Sequence, residues 1–440
     1  MLELIYEGQL AGHKAVVVGA ARSGVAAAKL LSRLGASVTL ADSNEAALGE
    51  PEVQEPAGAY GWKLAGGAHT EELFVGADLV ILSPGVPRRV VDPFLPQKVQ
   101  VVSELEFASW FVSEPIVALT GTNGKTTTTA LLGHVLEKTK RKVFLGGNFG
   151  VPLSEYVLAG ERVDILVLEV SSFQLQNISS FRPRVAVMLN FAANHLDYHQ
   201  SMDEYFEAKM SLFSRQCQGD LAILPLELKD RVVGKLDPAV NSTWFVATRR
   251  FHCPQLPGAH NRENLEAAFL VARHFGVTEA EMQSALKDFT PMEHRLESIV
   301  EKHGVVFVND SKATTVGALA AALRSMDRPT LLLAGGVFKG GDLEELVPLL
   351  REKVLEVFLF GAGREIFEQA WKGGVPLHWT ERLEDAVQQA FERSRPGDAI
   401  LLSPATASFD QFRNYKERGR VFSAAARALD VRNIGGETQP

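Results

Sequence analysis

Cysteine is almost missing. Only Cys217 and Cys253 occur among 440 residues, without the spacing of a metal knuckle or the number of a disulfide framework, which fits a reducing compartment and leaves both as structural thiols. Long apolar runs are also absent: none reaches the roughly 20 residues of a membrane span. The opening Met-Leu-Glu-Leu-Ile-Tyr-Glu lacks the basic and apolar segments of a signal peptide. A cytoplasmic location without membrane insertion is expected. A formal charge of −8 argues against nucleic acid as a general partner, while leaving room for a local basic pocket. No low-complexity segment or repeat is evident. What is present is apolar content: 46% hydrophobic residues in a chain of this length supports about two to four domains with their own cores.

The most informative stretch reads Pro-Ile-Val-Ala-Leu-Thr-Gly-Thr-Asn-Gly-Lys-Thr-Thr-Thr-Thr over residues 115–129. An apolar β-branched run, a glycine loop and an amphipathic helix follow one another, as in a phosphate-binding strand, loop and helix. Gly121 and Gly124 let the backbone N–H groups of Thr122 and Asn123 converge on phosphate oxygens at a helix N-terminus. Lys125 adds a charge for the terminal phosphates, Thr126 a hydroxyl for Mg²⁺, and Thr127 continues the first turn. Leu119 stands where a strict P-loop has another glycine, so the general pattern matches in its second half.

Upstream, residues 14–20 form a strand, 23–34 a helix and 37–42 a second strand, a Rossmann-like opening. The loop from Gly19 to Gly24 lacks the middle glycine of the dinucleotide fingerprint, so NAD is not favoured. Asp42 is placed like a ribose-binding acid, and equally like a solvated turn aspartate. A third strand over 78–83 runs into Ser83-Pro84-Gly85, where backbone amides can meet a ligand. This first domain, a nucleotide-sugar or dinucleotide holder, ends near Glu104.

In the central domain a strand over 142–145 runs into Gly-Gly-Asn148-Phe-Gly, where Asn148 can be only a turn former. The run over 163–170 reads as a strand buried on both faces, interrupted at its C-terminal end by Glu169. Ligands in parallel α/β sheets lie beyond that end, so Glu169 is a candidate Mg²⁺ ligand; a structural carboxylate paired with an arginine is the alternative. The strand over 184–190 leads to a polar loop with His195 and His199 at the same edge. A helix over 203–213 packs Phe206, Met210 and Phe213; Lys209 beside that stripe reads by default as a snorkelling surface lysine. Asn261 and Asn264, three apart at the start of an apolar helix, suit amide contacts to a flat base, or an N-cap at Asn261.

After a segment Glu293-His-Arg-Leu-Glu297, a third domain alternates strand and helix (strands over 305–309, 329–334, 355–360 and 398–402), which implies a parallel sheet. Its strand ends carry Asp310, Lys312 and Thr314, then Lys339, then Ser408, Phe409 and Tyr415, a grouping suited to a small dicarboxylate or an ATP phosphate. Gly361-Ala-Gly363 reads as a turn. The fold class is α/β in three domains: Rossmann-like over 1–104, a P-loop ATPase-type domain over 105–298, and Rossmann-like over 299–440. One nucleotide site flanked by two strand-end sites is the layout of an enzyme that joins two molecules using ATP. A nucleotide-dependent switch would not need metal ligands, an amine site and a sugar-nucleotide domain together.

The runs Thr120–Thr126, Glu169–Leu175, Asn190–His199, Gly258–Asn264, Glu293–Glu297 and Asn309–Thr314 resemble, in order, those of the Mur ligases of peptidoglycan synthesis. The segment Ser403–Phe412 is most similar to the branch that adds D-glutamate. The resemblance implies ATP, UDP-N-acetylmuramoyl-L-alanine and D-glutamate as substrates, two Mg²⁺ ions, an acyl phosphate and a tetrahedral intermediate. It implies that Lys125 and Thr126 hold phosphates and metal, that Glu169 and His195 are ligands, and that Lys209 carries a CO₂-derived carbamate that binds metal. It places Asn261, Asn264, Arg295, Asp310 and Lys312 with the nucleotide, and Arg22, Ser23, Asp42, Ser83–Gly85, Asn148 and His195 with the UDP-sugar. Thr314, Lys339, Ser408, Phe409 and Tyr415 fall to D-glutamate. A monomer is expected, with closure of the third domain about a hinge near residues 296–305. Two departures stand out: Tyr415 where phenylalanine is usual, and Arg22-Ser23 where leucine-threonine is familiar.

Overall fold

The computed structural model describes residues 10–193, 198–256 and 258–429. They fall into two compact units, residues 1–252 with 263–289, and 253–262 with 290–440.

The larger unit holds two sheets. In the first, β1 (Lys14–Val18), β2 (Ser37–Asp42), β3 (Lys63–Gly66), β4 (Leu79–Leu82) and β5 (Gln100–Ser103) lie in the order β3-β2-β1-β4-β5, all pairs parallel. The order reverses between β1 and β4, so the loops leaving those strands meet at the edge where such sheets take ligands. In the second, β6 (Ile116–Thr120), β7 (Val143–Gly147), β8 (Ile165–Glu169), β9 (Val185–Met188), β10 (Leu221–Pro225) and β11 (Asn241–Phe245) lie in the order β11-β10-β9-β6-β8-β7, again all parallel. Every residue of β6, β8 and β9 is buried, as near-continuous apolar runs in a two-sided sheet require. Because β6 lies between β8 and β9, its phosphate loop is flanked by the residues that end those two strands. One apolar cluster joins the sheets, running from Val17 and Leu31 through Phe107 and Leu153 to Leu168 and Met188.

The smaller unit contains β12 (Glu297–Lys302), β13 (Val305–Asn309), β14 (Thr330–Gly335), β15 (Val354–Phe360), β16 (Leu377–Thr380) and β17 (Ala399–Leu402), in the order β12-β13-β17-β14-β15-β16. Apolar clusters cover it, one with Leu319, Leu332 and Trp371, the other with Phe307, Phe391 and Phe422. The sheet is mixed, which corrects the expected all-parallel arrangement. β12 runs antiparallel to β13, joined through His303 (φ 50°) and Gly304 (φ 74°), a two-residue turn whose twist suits a hairpin. Residues 296–305, expected to be a hinge, are thus largely ladder-bonded strand.

Short edge strands escaped the sequence pattern. β3 (Lys-Leu-Ala-Gly), β11 (Asn-Ser-Thr-Trp-Phe) and β16 (Leu-His-Trp-Thr) are each only partly buried, so neither alternation nor an apolar run marks them. Cys253 is buried but Cys217 is exposed, so only the first thiol is a packing residue.

Candidate active site

The phosphate loop is shaped by Asn190, just beyond β9. Its Oδ1 accepts from the backbone N–H of Thr122 (3.1 Å) and Asn123 (2.9 Å), while its Nδ2 donates to the Asn123 carbonyl (3.1 Å). Thr122 Oγ1 lies 3.3 Å from Tyr205 Oη and accepts from Ala192 N–H (3.0 Å). Gly124 sits at φ +80°, and a Cβ there would lie 2.4 Å from Asn264 Oδ1. Glycine is needed for both reasons. The helix Lys125–Lys138 then begins, with Thr126 buried and Thr127 half-buried in its first turn. Lys125 Nζ donates to the carbonyls of Gly121 (2.7 Å) and Thr122 (2.9 Å).

Glu169, 3% exposed at the end of β8, accepts on Oε2 from Thr126 Oγ1 (2.6 Å) and on Oε1 from Asn148 Nδ2 (2.9 Å). The buried-charge argument is met by hydroxyl and amide donors in place of an arginine. Asn148 is more than a turn former, since its N–H also binds the Glu169 carbonyl at 2.8 Å.

Lys209 departs from the snorkelling expectation. It is 1% exposed, because the helix Met202–Met210 lays it against the loop. Its Nζ donates to the Gly121 carbonyl at 2.9 Å and lies 4.6 Å from the centre of the Tyr205 ring. Burial, then the Lys125 charge, hold its pKa well below the usual lysine value, against the pull of Glu169. Its amine is thereby biased toward the neutral, nucleophilic form. His199 is buried too, its Nε2 2.9 Å from Ser172 Oγ. His195 lies outside the described residues.

In the first sheet, Gly19 (φ +101°) packs so closely on Ser83 that a Cβ would fall 2.5 Å from the Ser83 Cβ. The β1 and β4 loops therefore meet. Asp42 Oδ2 accepts from Ala20 N–H (2.8 Å) and Oδ1 from Asn44 N–H (2.8 Å), so the carboxylate holds the β1 loop as well as facing the same edge. Arg22 and Gly85 are exposed, Ser23 and Pro84 half-buried.

The smaller unit gathers its own set. Asp310, after β13, accepts from Ser403 Oγ (3.0 Å) and Leu296 N–H (3.3 Å). Burial raises its pKa to about 7, opposed by Ser403 and by the nearby Arg295 charge. Lys312 Nζ stands 4.0 Å from the centre of the Tyr415 ring, and Lys339 Nζ 5.6 Å from that of Phe409. The backbones of Val337 and Ala407 bond each other reciprocally at 2.9 Å, which draws the Lys339 segment to Ser408. Ser408 is buried and Phe409 is 67% exposed. Thr314 is half-buried, two residues before the helix Val316–Ser325. Asn261 is buried on the helix Ala259–His274, as is Asn264, which is counted with the larger unit. Asn261 lies inside that helix, which removes the N-cap alternative.

Three family models match in chain order: the MurD-like N-terminal domain over residues 13–102, the Mur ligase middle domain over 119–252, and the Mur ligase glutamate ligase domain over 294–406. The UDP-N-acetylmuramoylalanine–D-glutamate ligase of Nitratidesulfovibrio vulgaris is 51% identical over 421 residues, covering 95% of this chain and 97% of that protein. The chain belongs to the Mur ligase family. The like-named ligase of Oleidesulfovibrio alaskensis is 48% identical, covering 93% of each chain. Among solved structures, the UDP-N-acetylmuramate-alanine ligase of Thermotoga maritima has the same fold, with a TM-score of 0.57 at 17% identity over 94% of this chain and 99% of that one.

For a Mur ligase metal, Thr126 and Glu169 supply hard oxygen donors that lie 2.6 Å apart. They fit Mg²⁺, which keeps several waters and phosphate oxygens as its other ligands. Among the described residues no three His, Cys, Asp or Glu side chains gather as a cage. Sequence reasoning missed Asn190 and Tyr205 as loop-shaping residues; a lone Asn at a strand end was their only mark. It also missed Arg418, fully buried, whose guanidinium donates to Ser311 Oγ (3.0 Å), the Ser311 carbonyl (2.8 Å) and the Thr406 carbonyl (3.1 Å). Arg418 thereby pins the segments that follow β13 and β17.

Proposed function

We propose that this Mur ligase joins D-glutamate to UDP-N-acetylmuramoyl-L-alanine at the expense of ATP, giving the dipeptidyl nucleotide, ADP and phosphate, as a cytoplasmic monomer. Near-full-length likeness to relatives named for that reaction is what supports it most. The three domains, residues 1–104, 105–298 and 299–440, would take the UDP-sugar, ATP and the amino acid respectively. Among the described residues no helix is long and apolar enough to cross a membrane.

The chemistry is the one the family resemblance implies. The substrate carboxylate attacks the γ-phosphorus, the bond to the β–γ bridging oxygen breaks, and ADP leaves. The D-glutamate amine then adds to the acyl phosphate, and the tetrahedral adduct expels phosphate as the amine loses a proton. Gly121–Thr127 cradle the phosphates, and Lys125 must leave its loop carbonyls to bind them. Thr126 and Glu169 would hold one Mg²⁺, and His195 and Lys209 a second; such ions would neutralise charge building on phosphoryl oxygens. Neutral Lys209 can add to CO₂, losing a proton to become an anionic carbamate. Asn261, Asn264, Arg295, Asp310 and Lys312 would serve the nucleotide. Arg22, Ser23, Asp42, Ser83, Pro84, Gly85 and Asn148 would serve the UDP-sugar. For D-glutamate, Lys339 offers a cation for a carboxylate, with Thr314 and Ser408 as hydroxyl donors and Phe409 and Tyr415 as walls.

The test is phosphate release with ATP, Mg²⁺ and UDP-N-acetylmuramoyl-L-alanine, adding D-glutamate, L-glutamate, L-alanine or meso-diaminopimelate in parallel. Release with D-glutamate alone, with a product of ligated mass, is the expected result. Release with another amino acid overturns the assignment of Lys339 and Ser408; release with none overturns the ligase.

A further inference from the structure

The loop leaving β4 does two things. Ser83 faces the β1 loop, where the UDP-sugar reading places substrate, and after Pro87 the chain turns into a single helical turn, Arg88–Val91. Arg88 is engaged locally, with Nε donating to Asp92 Oδ1 at 2.9 Å. Arg89 reaches 109 residues along the chain instead: its Nη1 donates to the backbone carbonyl of Tyr198 at 2.6 Å. Its guanidinium carbon also stands 5.7 Å from the centre of the Tyr198 ring, within reach of the ring's negative face. A charge-assisted bond of that length to a carbonyl is a strong tether.

What it tethers is the start of a packed chain of side chains. Tyr198, 8% exposed, packs on Phe173 with ring centroids 4.1 Å apart, and Phe173 lies just past Glu169 on the same connection. His199 follows, bonded to Ser172 and with its ring 5.0 Å from that of Tyr205. Tyr205 in turn meets Thr122 of the phosphate loop and lies under Lys209. Contacts therefore run from the β4 loop through Tyr198, His199 and Tyr205 to Thr122 and Lys209 without a gap, all inside one compact unit. Nothing in the ligase chemistry above uses Arg89.

We infer that Arg89 is a positioning residue: by holding the Tyr198 carbonyl it sets the strand-end connection that supports the phosphate loop and Lys209, and so registers the substrate loop against the site of phosphoryl transfer. The inference rests on the ligase reading for its catalytic consequence, and on the contacts alone for its structural one. Arg89 uses a single N–H on the carbonyl, so a lysine can replace it in part, whereas an alanine cannot. Tyr198 contributes its backbone carbonyl and its ring but not its hydroxyl, which is 3.5 Å from the Val86 carbonyl, too long to matter much.

Two readouts decide it on the full chain. Hydrogen exchange of the ligand-free protein should show amides of residues 198–206 exchanging about fivefold faster or more in Arg89→Ala than in wild type. The melting temperature should stay within about 2 °C. In steady state Arg89→Ala should lower kcat about tenfold with the ATP KM unchanged, as for a sub-ångström misplacement of reacting groups. Arg89→Lys should recover kcat to within about threefold of wild type, and Tyr198→Phe should match wild type. Unchanged exchange at 198–206 in Arg89→Ala overturns the tether. Unchanged kcat, a lysine variant as impaired as the alanine, or a Tyr198→Phe loss as large as that of Arg89→Ala overturns the positioning role. If wild type itself ligates nothing, the ligase reading fails while the exchange comparison still decides the tether.

Discussion

Lys125 and Lys209 donate to the same atom, the carbonyl oxygen of Gly121, at 2.7 and 2.9 Å. Two ammonium groups on one oxygen cannot both stay charged cheaply where water is excluded, and burial together with the Lys125 charge lowers the Lys209 pKa well below the usual lysine value. Lys125 thus helps keep its neighbour neutral.

The first prediction uses that relationship. A lysine with a lowered folded pKa gives up its proton while the unfolded chain keeps it, so stability rises with pH from the lowered value to the ordinary lysine range of about 10.4. In CO₂-free buffer the melting temperature of wild type should rise with pH over that interval. Lys209→Met should flatten the dependence and raise the melting temperature, because a buried amine gives way to an apolar chain of similar length. On the proposed role of Lys209 as a carbamate-bearing metal ligand, ligase activity should fall by about 100-fold or more. A Lys209→Met protein that melts lower than wild type at every pH would show that the amine stabilises the loop.

Gly124 supports a second. Alanine at φ +80° costs about 1–2 kcal/mol in backbone strain, and its Cβ would meet Asn264 Oδ1 at 2.4 Å. Gly124→Ala should raise the ATP KM more than about tenfold, through displacement of both the loop and the Asn264 amide. Affinity for the UDP-sugar, measured by calorimetry without nucleotide, should stay at the wild-type value. Equal loss of both affinities would mean general unfolding.

How much of this was legible in sequence depended on burial. β6, β8 and β9 announced themselves as apolar runs, and Glu169 stood out because it broke one. Gly121 and Gly124 were readable because the loop takes positive φ at both. Lys209 was singled out by the family resemblance alone: on a helical wheel it sits beside an apolar stripe, and only tertiary packing decides whether such a lysine snorkels or is sealed. Arg418 and Asn190 were hidden for the same reason, as their partners are backbone carbonyls and N–H groups distant in sequence. β12 was lost because its pairing is set by the turn at His303-Gly304, whereas its own sequence, Glu-Ser-Ile-Val-Glu-Lys, is half polar.

Glu104 supports a prediction about pH. Its carboxyl is fully buried, with Oε1 accepting from Ser154 N–H at 2.7 Å and Oε2 without a partner. Burial lifts its pKa to about 7 from 4.5, the Ser154 contacts opposing. The folded state therefore holds a proton that the unfolded state has shed. The resulting stability is present below the unfolded value and is lost as pH rises through 7, by roughly 3 kcal/mol in total. Glu104→Gln keeps the acceptor for Ser154 and removes the titration. It should raise the melting temperature at pH 8 and leave it nearly unchanged at pH 5; equal effects at both would rule out the buried titration.

Glu106, two residues on and equally buried, behaves in the opposite way because its environment is all donors. Oε1 accepts from Ser180 N–H (2.8 Å), Trp110 Nε1 (2.9 Å) and the Ser179 and Ser180 hydroxyls, and Oε2 from the N–H groups of Ser179 (3.0 Å) and Phe181 (2.8 Å). Burial pushes its pKa up, but the donors outweigh it and the net shift is downward. Its stabilisation is thus present above the ordinary carboxylate value and lost as pH falls through the lowered one. Glu106→Ala strands the three backbone N–H groups of Ser179, Ser180 and Phe181, a cost of about 3–5 kcal/mol. Glu106→Gln should cost nearly as much, since whichever way the amide turns its NH₂ faces donors. Thermal unfolding at pH 7 checks this: a Gln variant close to wild type would mean that the donors rearrange and that the carboxylate charge contributes little.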